Sequence, residues 1–199
     1  MRAPQVQPGE AGSSRLKPFG MTVIEIVLTS ASLIYHTRMN FLRFLMLLAL
    51  AVWLGGLIFF PVVAQTAFSV LPSTHLAGQM VRDSLRELHW MGFISGLVFL
   101  ASSLLYSLAM VGRTRVFGLS HILVAAMLSL TAVSQFRIIP RMDSLRAFAG
   151  EIASLAADNP IRQQFDSLHF WSTRLEETVL LLGLIVLHST SRRIGSSQK

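Results

Sequence analysis

Three stretches of the chain are mostly apolar and carry no charge at all. Residues 44–81, 88–112 and 116–136 contain no Asp, Glu, Lys or Arg. A hydrocarbon core about 30 Å thick takes about 20 mostly apolar residues in a helix, so each stretch predicts a membrane span. The first runs over 42–70, the second over 88–111 and the third over 116–138, ending at Arg137 and Pro140. A fourth helix is predicted over 160–190, because Asp158-Asn159-Pro160 supplies a helix start with Pro at the first helical position. Its bilayer part, 170–190, is the least apolar. Between Met142 and Ala157, apolar residues recur at Leu145, Phe148, Ile152 and Leu155. Spacings of three and four fit an amphipathic helix that lies on the outer surface or extends the third span. The predicted fold class is all-α: a polytopic membrane protein, a four-transmembrane-helix bundle with an amphipathic outer helix between the third and fourth spans.

The flanks differ in kind. Residues 1–18 are polar and rich in Pro, Gly, Ser and Arg, the composition of a disordered segment. Residues 19–35 are apolar but short and interrupted by Glu25, which suits an interfacial segment. Met39 opens a stretch that reads like the start of a bacterial inner-membrane protein, with Arg43 as a cytoplasmic anchor. The expected division is a dispensable N-terminal extension over 1–38, a transmembrane domain over 39–191 and a cytoplasmic tail over 192–199. Residues 72–87 are expected to form an outer loop, and Arg113 and Arg115 mark a tight inner turn.

Within the spans, Pro61 should kink the first helix. Ala51 and Gly55 form a small-xxx-small pair, and Gly92 and Gly96 make a GxxxG pattern on the second helix; both read as packing devices. Trp53, Gly55, Gly56 and Phe60 are the packing candidates on the first helix, and Gly92 and Gly96 on the second. A weak repeat joins Leu88-His89-Trp90 to Leu168-His169-Phe170, each following an Asp-Ser-Leu. It predicts two helical hairpins with a His at matching depth.

Composition sharpens this picture. The 199 residues are 52% hydrophobic and 14% charged, against about 25% charged in an ordinary soluble domain, and the mean hydropathy is +0.57. The formal charge is +7. With four spans and a cytoplasmic N-terminus, ten of the 17 basic residues fall inside with only Glu10 and Glu25 against them, as the positive-inside rule requires. The basic excess is thus topological, no nucleic acid is expected as partner, and both termini are placed in the cytoplasm of a bacterial inner membrane. The chain has no Cys, which excludes disulfides, thiolate nucleophiles and iron–sulfur clusters. No P-loop, HExxH or GxSxG motif points to an enzyme.

Ionisable groups in a bilayer cost several kcal/mol unless paired or hydrated. The candidates for function are therefore His89, His169, Arg174, Glu176 and Glu177, with Ser172 on the same helical face as His169 and Glu176. Arg174 and Glu177 are spaced to pair with each other. His89 and His169 are expected to face one another, with Glu176 about 10 Å deeper by the helical rise. Such a set (His89, His169, Glu176) could ligate a metal ion or haem iron, or relay protons. It is equally open that each His caps a backbone carbonyl at headgroup level. His121 and His188, near the cytoplasmic ends, are interface residues or a second His pair.

Trp53-Leu54-Gly55-Gly56 with Phe59-Phe60 and Ala64, then Pro140-Arg141, Leu145-Arg146, Phe165, Leu168-His169 and Ser172, resemble the signature of a bacterial integral-membrane family of unknown function. It is domain of unknown function 4149, or transmembrane-protein-205-like, and the resemblance spans roughly 41–190. It implies a four-helix membrane bundle with no established reaction. Where that family is expected to carry an Asn, this chain has Glu176. A remoter similarity is to copper-resistance-D-like membrane proteins, whose relatives include haem-dependent oxidases; it implies His-mediated metal or haem binding. Three readings follow. The first is a non-enzymatic protein of the lipid bilayer that binds or moves a small solute or metal ion, such as a divalent or copper ion, through its His/Glu face. The second is a redox protein holding haem. The third is a structural homo-oligomer in which the polar stripe packs helices.

Overall fold

The computed structural model describes residues 19–111 and 118–196. The polar stretch 1–18, the turn bearing Arg113 and Arg115, and the last three residues lie outside them. Among the described residues every regular element is helical: α1 (Phe19–Val70), α2 (Thr74–Val111), α3 (Leu119–Val133), a π-helical turn (Ser134–Ile138), α4 (Ile139–Ala149), a 3-10 turn (Ile152–Ser154) and α5 (Pro160–Ser196). Three stretches, Glu25–Val70, Thr74–Ala109 and Leu119–Ala149, are long and apolar enough to cross a membrane. Such segments fold as helices because a bilayer offers backbone groups no other partner. The chain divides into two compact units, Met1–Arg38 and Met39–Lys199. The described part of the first is the opening of α1.

In the second unit each helix buries one stripe. On α1 it is Leu50, Trp53, Leu54 and Leu57; on α3 it is Val124, Met127 and Thr131; on α5 it is Ser172, Val179, Val186 and Thr190. Steps of three and four residues keep each stripe on one face. Ile94, Leu97 and Leu181 point outward instead, which suits a lipid-facing surface. α3 packs against α2 and α5. At one end, Arg43 Nη2 donates to Tyr106 Oη at 2.7 Å and its guanidinium lies over the Tyr106 ring.

Several boundaries differ from the sequence expectation. The expected outer loop over 72–87 is helical from Thr74, because Ser73 Oγ accepts the Leu76 N–H at 3.2 Å and caps the helix. The third span does not stop near Pro140. Its helical path continues to Ala149 through the π turn at Ser134–Ile138. In an α geometry the Pro140 ring would press on the Phe136 carbonyl, and a wider turn relieves that clash. Of the two expectations for 142–157, the segment up to Ala149 extends the third span, and no separate surface helix forms. α4 ends at Gly150, whose φ of 70° suits only a glycine, so Ile152 and Leu155 fall beyond the helix that carries Leu145 and Phe148. α5 starts where the sequence placed it: Asn159 Oδ1 accepts the Ile161 N–H at 2.9 Å, and Pro160 takes the first helical position.

The glycines sort by contact. A Cβ on Gly92 would sit 2.6 Å from Trp53 Nε1, and one on Gly96 would sit 3.0 Å from Trp53 Cζ3 and 2.7 Å from Leu128 Cδ2. These two glycines, one turn apart, seat the Trp53 indole. Gly56 approaches Met91 and Leu88, whereas a Cβ on Gly55 meets nothing within 4 Å. Within the chain no neighbour approaches Gly55: Ala51 and Gly55 are both exposed, and Gly56, one residue on, makes the close approach.

Candidate functional site

In the second unit polar side chains from two other helical segments converge on His89 of α2. The ring is 1% exposed. Its Nδ1 lies 2.8 Å from Gln135 Oε1 and its Nε2 lies 2.7 Å from Glu176 Oε1. Three helical segments thus meet at one imidazole. A carbonyl oxygen only accepts, so with Gln135 oriented this way Nδ1 carries a proton and donates it. The Nε2···Oε1 contact then holds one more proton. It sits on the imidazole, facing a carboxylate, or on the carboxyl, facing a neutral ring.

The π turn places Gln135. Ser134, Gln135 and Ile138 are its buried residues, and π turns of this kind recur at functional sites. The hydroxyls of Thr131 and Ser134, on the same wall, are buried without a hydrogen-bond partner among the described residues. So is Glu176 Oε2, the second oxygen of the carboxyl whose first oxygen meets His89. A buried carboxylate oxygen left without a donor is costly.

Glu176 lines a cavity of about 410 Å³ between α1, α2, α4 and α5. Leu57, Phe60, Pro61 and Phe68 of α1 form its apolar wall. Its polar lining is Arg82 of α2, Asp143 and Arg146 of α4, and His169, Ser172, Thr173, Glu176 and Glu177 of α5. Arg82 Nη1 lies 3.3 Å from Asp143 Oδ1 and Arg86 Nη2 lies 3.6 Å from Asp143 Oδ2. Arg82 precedes His89 by seven residues on α2, and Asp143 follows Gln135 by eight. At 1.5 Å per residue the Arg/Asp layer is therefore about 10 Å from the His89 layer.

The expected histidine pair is not what meets. The ring nitrogens of His89 face Gln135 and Glu176. His169 is exposed and shares only the cavity lining with Glu176, because it lies on the same face of α5 but about 10 Å along the axis from the level at which Glu176 meets His89. Among the described residues no group of three or more His, Asp or Glu is arranged to hold a metal ion. The expected set of His89, His169 and Glu176 is thus a pair plus a separate His. Arg174 Nη1 donates to Glu177 Oε2 at 2.6 Å on the exposed side of α5. His121 is buried and His188 exposed. Gln135 and Arg146 were absent from the sequence candidates. The signal for Gln135 is an amide inside a charge-free span five residues before a proline. The signal for Arg146 is a basic residue on the continuation of that helix.

Long apolar helices that turn their polar groups towards a shared interior define an integral membrane protein. Residues 48–151 match the family model described as Domain of unknown function (DUF4149). The chain belongs to that family. The match includes His89, Gln135, Asp143 and Arg146 and stops short of α5, which supplies Glu176. No curated protein and no solved structure matches the chain.

Proposed function

We propose that this protein binds a small solute in the cavity beside Glu176 and moves or holds it within the membrane, with the His89–Glu176 pair as the site's proton-carrying element. The observation behind this reading is the divided carboxyl group. One oxygen is engaged inside the bundle by His89, and the other is buried, unpartnered and part of a residue that lines the cavity. A solute that supplies a hydrogen-bond donor would satisfy it. The test is thermal unfolding of the detergent-purified chain against a panel of small solutes, with Glu176→Gln alongside. Saturable stabilisation by a solute, reduced about tenfold or more in affinity by Glu176→Gln, is the expected result. Metal content and an absorption spectrum belong to the same experiment. A Soret band lost in His89→Ala would overturn the solute reading in favour of haem.

The same reading makes the chain a four-span protein of a bacterial inner membrane, with α5 as the fourth span and both ends in the cytoplasm. The support is the sorting of basic residues and the length of α5, 37 residues. Because the chain has no Cys, single cysteines report topology cleanly. Ser73→Cys and Asp158→Cys should react with an impermeant maleimide from outside intact cells, and Ser191→Cys only after lysis. Labelling of Ser191→Cys from outside would remove the fourth span or reverse the orientation.

A further inference from the structure

We infer that the larger cavity takes an amphipathic anion, with its acid group on Arg146 and its apolar body along α1. This rests on the solute reading above and names the class of solute. Arg146 is the group that points to it. Its side chain is only 19% exposed, and its ion pair with Asp143 Oδ1 is long, 3.9 Å. Among the described residues no hydrogen bond reaches its guanidinium, and none of its nitrogens is among the fully buried unpartnered atoms, so its N–H donors open onto the cavities it lines. The group is nonetheless fixed in place. Its Cζ lies 4.9 Å from the centre of the Phe165 ring, and the missing side chain of Gly78 leaves room for it, since a Cβ there would be 3.2 Å from Nη2. A clamped guanidinium without acceptors is a preformed fork for a carboxylate or phosphate.

The local charge does not oppose this. Arg82, Arg86, Arg146 and Arg174 face four carboxylates, Asp83, Asp143, Glu176 and Glu177, a formal balance to which His89 and His169 can add only positive charge. A neighbouring cavity of about 210 Å³ shares Arg146 but has only Phe68 of α1 on its wall, whereas Leu57, Phe60, Pro61 and Phe68 line the larger one, so an anion with a hydrocarbon body belongs in the larger. There the α1 side of the wall, Leu57, Phe60, Pro61 and Phe68, is apolar and the Arg and Glu176 layers are about 10 Å apart, room for a short hydrocarbon tail.

An acid group of this kind could come from a free medium-chain carboxylate or from the headgroup of an acidic lipid. The test uses the full chain, delipidated in a neutral detergent, with octanoate and octyltrimethylammonium as probes read by thermal unfolding. Octanoate should stabilise the protein saturably and the cation should not. Arg146→Lys, which keeps the charge and loses the fork, should weaken octanoate about tenfold or more, and Asp143→Asn should tighten it. Competition by phosphatidylglycerol at lower concentration would identify a lipid headgroup, and its failure to compete a free acid; both support the anion site. Stabilisation by the cation, indifference of octanoate to Arg146→Lys, or no saturable binding of octanoate would each overturn it. A solute that depends on Glu176 and ignores Arg146 would sink the anion and spare the solute reading. Octanoate that depends on Arg146 and ignores Glu176→Gln would keep the anion in the cavity and remove only Glu176 from its binding.

Discussion

Glu176→Ala should strongly destabilise the protein, whereas Glu176→Gln should leave it folded. The alanine variant strands Nε2 of an imidazole that is 1% exposed and opens a gap between α2 and α5. Breaking a buried pair by removing one partner costs about 3–5 kcal/mol. The glutamine variant keeps the shape, and its amide N–H can donate to Nε2 while Nδ1 still donates to Gln135. The measurement is the unfolding midpoint in detergent, followed by loss of the monodisperse peak on heating. Adding His89→Ala to Glu176→Ala should cost less than the two single changes together, because the first change has already removed the shared contact. Equal midpoints for the alanine and glutamine variants would mean that the 2.7 Å contact does not hold α5 to α2.

The sequence made Glu176 conspicuous for the same reason that the contact matters. A carboxyl in an apolar helix needs a partner, so it stands out wherever it occurs. What the sequence could not supply was the partner. A helix's own periodicity shows which residues share a face, but how far it slides along its neighbours and how it is rotated against them are set by packing not yet placed. His169 and Glu176 do share a face and a cavity, and it is Glu176, about 10 Å further along α5, that stands at the level of His89. The same uncertainty separates Gly55 from Gly56, adjacent residues about 100° apart around α1, of which only the second meets a neighbour. Gln135 was hidden for another reason. An amide carries no charge to interrupt an apolar run, and the π turn that places it inward is a local response to Pro140, whose effect the sequence registers only as a helix end. The charge-free runs and the Asn159-Pro160 start were legible because they depend on composition and local chemistry alone.

The Trp53 seat should be the most sensitive packing site in the bundle. Between helices in lipid there is little hydrophobic drive, so close packing carries much of the association. The indole of Trp53 lies where side chains on Gly92 and Gly96 would have to be. Trp53→Ala would empty that space, at about 3–5 kcal/mol for a large aromatic. Gly92→Ala would force a Cβ to within 2.6 Å of a ring with nowhere to bend, and α2 would have to move away from α1. Gly55→Ala is the control, since a Cβ there meets nothing within 4 Å, and it should be neutral or slightly stabilising through helix propensity. The decisive variant is the combination. In a Trp53→Leu background the added methyl of Gly92→Ala occupies part of the space the indole has left, so it should be tolerated far better than in the parent. Folded yield and unfolding midpoint in detergent report all four. If Gly92→Ala costs as much beside Leu as beside Trp, the glycine serves something other than the indole; if it costs no more than Gly55→Ala, the seat is not tight.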